Sequence, residues 1–61
     1  AEVQTRMGWV RLKIATLPDG TERAVPEFES VRSVAEQAGA TIAEVAAEAL
    51  AAHRAGTGPL R

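Results

Sequence analysis

The sequence predicts an α+β domain, a small antiparallel β-ribbon of two to three strands followed by two short packed α-helices. Three observations carry this reading. Val10, Leu12 and Ile14 alternate with Trp9, Arg11 and Lys13, the period of two of a half-buried strand. Leu17-Pro18-Asp19-Gly20-Thr21 is a tight turn beside that strand. From Pro26 to Ala55 the pattern changes to helical spacing, broken at Gly39 and resumed at a Thr41-Ile42-Ala43-Glu44 capping box. Strands followed by helices, rather than alternating with them, point to α+β and not to a parallel sheet.

The elements follow in order. Glu2 to Thr5 is a short strand, with Arg6-Met7-Gly8 as its turn. The central strand runs from Trp9 to Leu17, and the chain pairs back from Thr21 to Val25, stopping at Pro26, which has no N–H to give a ladder. A first helix spans about Glu27 to Ala38. Its predicted apolar stripe is Phe28, Val31, Ala35 and Ala38, with Val34 beside it; Arg32, Ser33, Glu36 and Gln37 fall outside. Glu27 and Glu29 suit the positive end of the helix dipole, and Gly39 suits the residue past its end. The second helix carries Ile42, Val45, Ala46, Ala49 and Leu50 as its apolar stripe, and its many alanines favour helix. Residues 1–55 therefore read as one β-β-α-α domain and residues 56–61 as a flexible tail. A start at Ala1 rather than methionine suggests a processed product or a piece cut from something longer.

Composition narrows the function classes. A chain of 61 residues holds one domain with a thin core, and such domains often gain stability by association. Cysteine is absent, which removes disulfides, zinc-finger spacings and thiol nucleophiles. The net charge of -1 and a pI of about 5.7 give no strong field toward nucleic acid or acidic lipid. No apolar run approaches the roughly 18 residues of a membrane span. The expectation is a cytoplasmic protein without membrane or nucleic-acid partners, and a homo-oligomer.

Few residues can carry chemistry. His53 is the single histidine, and its place near a helix end reads as dipole complementarity rather than ligation. Glu27 and Glu29 flank Phe28; such a pair can ligate a nucleotide's metal ion, and it is also what a helix amino end favours. Arg11 and Lys13 share the solvent face of the central strand with Arg23 beside them, a set that can hold phosphate oxygens or serve as an ordinary wet face. Of the two aromatics, Phe28 is expected in the core, while Trp9 faces away from Val10 and is a candidate contact residue. No glycine-rich phosphate loop, nucleophile elbow or metal-binding spacing occurs, so no complete active site is legible.

Two resemblances add to this. Ser33 to Thr41, followed by Val45, resembles a bacterial helix-turn-helix. The would-be recognition helix, however, carries Glu44 and Glu48 and no cation before His53 and Arg54, which opposes phosphate contact. The second resemblance is broader, from about Val3 to Ala55. Val10-Arg11-Leu12-Lys13-Ile14, Leu17-Pro18-Asp19-Gly20, Pro26-Glu27-Phe28-Glu29, Val34-Ala35, Gly39, Val45 and the terminal alanine helix resemble, in order and spacing, the carboxyl-terminal end of the LarC family of nickel-insertion proteins. That resemblance implies a part in placing nickel into a pyridinium bis-thiocarboxylate mononucleotide, with CTP and a divalent metal, Mn or Mg. The full-length family is a CTP-dependent cyclometallase; this chain alone is expected not to catalyse. The family's carboxyl-terminal part is associated with nucleotide binding and oligomer formation. By position the resemblance implies Arg11 and Lys13 as nucleotide-binding residues and Glu27 and Glu29 as metal ligands. The chain departs from the family where asparagine precedes the Pro-Glu segment, here Arg23 or Ala24. It departs again where an acidic residue, often with cysteine, follows, here Ser30 and Val31.

Overall fold

The computed structural model describes residues 1–56. Three strands, β1 (Glu2–Thr5), β2 (Gly8–Thr16) and β3 (Glu22–Pro26), precede two helices, α1 (Phe28–Ala38) and α2 (Ile42–Ala55). The strands form one antiparallel sheet in the order β1-β2-β3. The predicted α+β class and element order are therefore those of the molecule.

Local chemistry closes both hairpins. In the first, the Thr5 hydroxyl donates to the Gly8 carbonyl at 2.7 Å and accepts from the Met7 N–H at 3.1 Å. In the second, the Asp19 carboxylate accepts from both the N–H and the hydroxyl of Thr21 at 3.0 and 2.7 Å, while the Gly20 N–H donates to the Leu17 carbonyl at 2.9 Å. These contacts hold Asp19 below the usual carboxylate range, the Thr21 hydroxyl contributing most.

The sheet is staggered, and the stagger makes room for the helices. β1 pairs with Gly8–Arg11, and Ala1 extends that ladder by exchanging bonds with Leu12. β3 pairs only with the other half of β2, Leu12–Thr16. Pro26 stands opposite Leu12, whose own N–H and carbonyl turn toward Ala1, so the missing proline donor leaves no gap. On the β3 side, the Gly8–Arg11 half of β2 is left for α1.

The core is aliphatic. Val3, Val10 and Leu12 from the sheet meet Val31, Val34 and Ala35 of α1 and Val45 and Ala49 of α2. Small residues let the layers approach closely; α1 packs on β2 and α2, and α2 on β1 and β3. Gly39, in the left-handed region at φ 68°, ends α1 with its N–H on the Ala35 carbonyl. Thr41 and Glu44 then form the predicted capping box, each accepting the other's N–H at 3.1 Å.

Three expectations about packing need correction. Phe28 is 60% exposed and Ile42 42% exposed, and Ala38 is also exposed. The buried face of α1 centres on Val31, Val34 and Ala35. At about 100° per residue, Phe28 lies well to one side of that centre. It also sits in the first turn, before the helix crosses the sheet. Ala38 and Ile42 flank the turn between the two helices. Gly56, expected in the tail, caps α2 by donating to the Ala52 and His53 carbonyls. The rest of the expected tail, 57–61, lies outside the described residues. No helix among the described residues is long and apolar enough to cross a membrane.

Candidate functional site

The passage from β3 into α1 is fastened to β2 through its backbone. The Glu27 N–H donates to the Arg11 carbonyl at 2.9 Å, and the Arg11 N–H donates to the Ser30 hydroxyl oxygen at 2.8 Å. Arg11 thus has both backbone groups consumed by the start of α1, while its side chain stays exposed. Beyond Ser30, helical spacing brings Ser33, Val34 and Gln37 onto the same stripe, one above another along the free half of β2. Val34 packs close to Gly8. A Cβ on Gly8 would stand 3.6 Å from a Val34 methyl, and its φ of +136° disfavours any side chain.

Between that stripe and β2 lies a cavity of about 430 Å³. Its two ends differ. Arg11, Glu27, Glu29 and Ser30 form a charged end, and Gly8, Trp9, Ser33 and Gln37 form a neutral one. Sites for small ligands commonly have volumes of about 300–1,000 Å³.

Three of the four sequence-predicted residues come together here. Arg11, from the middle strand, and Glu27 and Glu29, from the start of α1, line one space although sixteen or more positions separate them in sequence. Lys13 is exposed on the same sheet face as Arg11 but does not line the cavity. Arg23 lies opposite Ala15, farther along the sheet.

The two carboxylates are not equivalent. Glu29 accepts from the Arg32 guanidinium at 2.8 Å, which also reaches Glu36 at 3.0 Å. That hydrogen bond, reinforced by the opposite charge, holds Glu29 below the usual carboxylate range. Glu27 forms no ion pair among the described residues. Nor does its side chain cap α1, so the helix's amino-terminal amides keep their positive end toward the charged side of the cavity.

No protein-family model and no solved structure matches the chain. The site is therefore read from its own residues. Among the described residues no group of three or more His, Cys, Asp or Glu side chains gathers around a point suited to a metal ion. A divalent ion at Glu27 and Glu29 needs further oxygens from elsewhere. Magnesium characteristically takes one or two carboxylates, several waters and a ligand's phosphates; here Glu27 forms no ion pair among the described residues, while Glu29 is held by Arg32.

Ser30 and Val31, the residues after this pair of carboxylates, have structural duties. Ser30 closes the edge of β2 by accepting the Arg11 N–H. Val31, 2% exposed, belongs to the core.

Sequence reasoning missed Gly8, Ser30, Ser33 and Gln37 as cavity residues, and it assigned Trp9 to an outward contact surface. The available signal was the row Ser30, Ser33 and Gln37, polar side chains spaced along the flank of the α1 core stripe. Its partner across the groove was not legible, because it depends on where β3 stops pairing.

For the helix-turn-helix resemblance, the exposed face of α2 bears on DNA contact. It presents Ala43, Glu44, Ala47 and Ala51 before reaching Arg54. Glu48 is engaged by Arg6 at 2.8 Å. A surface of alanine and carboxylate gives phosphates little to bind.

Proposed function

We propose that this chain is a carboxyl-terminal accessory domain of a cytoplasmic nickel-insertion protein that makes the nickel-pincer nucleotide cofactor. It contributes to binding CTP with its divalent metal and helps hold subunits together. The nickel ion and the pyridinium mononucleotide are substrates of the whole protein, handled by segments beyond this domain. The observation that supports the reading best is the meeting of Arg11, Glu27 and Glu29 at one end of a single cavity. A guanidinium and a metal held by carboxylates are complementary to a polyphosphate, the one by forked hydrogen bonds and the other by shared oxygens. Lys13, on the same sheet face as Arg11 but outside the cavity lining, adds positive charge nearby.

The test is a titration of the chain with CTP and manganese, followed by the thermal unfolding midpoint. A ligand that binds only the folded state raises the midpoint progressively with concentration. Glu27→Gln should weaken CTP–metal binding by about 1–3 kcal/mol, the range for a lost charged contact. A midpoint unmoved by CTP and manganese removes the nucleotide reading. For self-association, exposed Val25, Phe28 and Ile42 supply apolar surface that a second copy can cover. Sedimentation of a monomer at millimolar concentration removes that part of the proposal.

A further inference from the structure

Trp9 is the chain's single tryptophan, and it contributes nothing to the aliphatic core. It is half-buried in the cavity wall, two residues along β2 from Arg11. Side chains two apart on a strand share a face and stand roughly 7 Å from each other. Across the groove stand Ser33 and Gln37, whose side chains form no hydrogen bonds among the described residues. The cavity therefore has a charged end suited to phosphate and metal. Its other end has a large aromatic surface beside a hydroxyl and an amide, and the amide both donates and accepts.

We infer that Trp9 and Gln37 form the seat for a planar nucleobase, Trp9 as the stacking surface and Gln37 as the group that reads the base edge. The inference rests on the CTP–metal reading above and names the part of the ligand that the neutral end recognises. A base linked through ribose to its phosphates has the required shape: a flat heteroaromatic ring at one end, anionic oxygens at the other, and a separation matching that of Trp9 and Arg11. Stacking on an aromatic side chain favours the ring whatever its substituents. Selection among bases falls to Gln37, an exposed residue of the cavity wall whose amide can both donate to and accept from a base edge.

The test compares CTP with inorganic tripolyphosphate, both with magnesium, by calorimetry and by the fluorescence of Trp9. Tripolyphosphate reaches the charged end but carries no ring. The wild-type chain should bind CTP about tenfold more tightly than tripolyphosphate, the scale of one base–aromatic stack. Only CTP should change the Trp9 emission. Trp9→Ala should bring CTP affinity down to that of tripolyphosphate and leave tripolyphosphate affinity as it was. Trp9→Phe should keep most of the preference, which separates loss of stacking from loss of fold. Gln37→Leu should weaken CTP several-fold and leave tripolyphosphate unchanged. Equal affinities for the two ligands, or a CTP preference that survives Trp9→Ala, overturn the seat while leaving metal–phosphate binding at Arg11 and Glu27 intact. Binding of neither ligand overturns both readings.

Discussion

Arg11 is fixed by its backbone and open at its side chain, and that division predicts how its neighbourhood responds to substitution. Arg11→Ala preserves the N–H to Ser30 and the carbonyl that accepts from Glu27, so the fold should hold while the cavity loses its guanidinium. Lys13 lies outside the cavity lining, so Lys13→Ala should cost less CTP affinity than Arg11→Ala. Parallel titrations of the two variants decide the order, and a larger loss at Lys13 would move the proposed phosphate site onto the open sheet face. Gly8 answers to a different constraint. Gly8→Ala places a side chain at φ +136° and against Val34, and should destabilise the domain by about 1 kcal/mol or more in denaturant unfolding.

Each helix is held at its start by a different device. α2 depends on its capping box, and Thr41→Ala should lower stability by about 1 kcal/mol, read from the same unfolding curves. The box also carries a pH signature. Glu44 is held below the usual carboxylate value of 4.5, first by the Thr41 N–H and then by the Thr41 hydroxyl. A carboxylate whose folded pKa is depressed adds stability that is fully present above its unfolded pKa and is lost as pH falls through the folded one. Acid unfolding of the wild-type chain should therefore steepen below about pH 4.5. Glu44→Gln should flatten that limb. Glu29 with Arg32, and Asp19 with Thr21, act in the same direction. α1, by contrast, has no side-chain cap and is anchored by Arg11 and Ser30. The Arg6–Glu48 pair joins the first hairpin to α2, but Arg6 is 80% exposed, and Arg6→Ala should scarcely move the unfolding midpoint.

At the scale of the whole molecule, stability rests on a core that, among the described residues, comprises eight buried side chains and no aromatic. Leu12, 1% exposed, is the largest of the fully buried side chains among the described residues and belongs to the core shared by sheet and helices. Leu12→Ala should cost about 2–5 kcal/mol. Domains of this size rarely hold more than about 3–5 kcal/mol from one core. Circular dichroism should find the variant largely unfolded at room temperature, unless self-association supplies the missing burial.

By itself the sequence determined the elements and their order, because those follow from local physics. Alternation at Val10 to Ile14 makes a strand whatever surrounds it. Pro18-Asp19-Gly20 sets a hairpin, and Thr41 with Glu44 starts a helix through bonds only three residues apart. Arg11, Glu27 and Glu29 could be singled out in the sequence as charged residues able to meet phosphate or metal, but their lining of one cavity could not. Tertiary structure alone decided what depends on distance and angle. Phe28 satisfies helical periodicity yet stays exposed, because α1 meets the sheet one turn later. Trp9 alternates outward yet lines the cavity, because β3 stops at Pro26 and lets α1 run beside the free half of β2. Lys13 has the same sequence character as Arg11 and lies outside the cavity, because β3 rather than α1 flanks that part of the strand. Periodicity assigns a face to each side chain, but what stands opposite that face is fixed only when the layers pack.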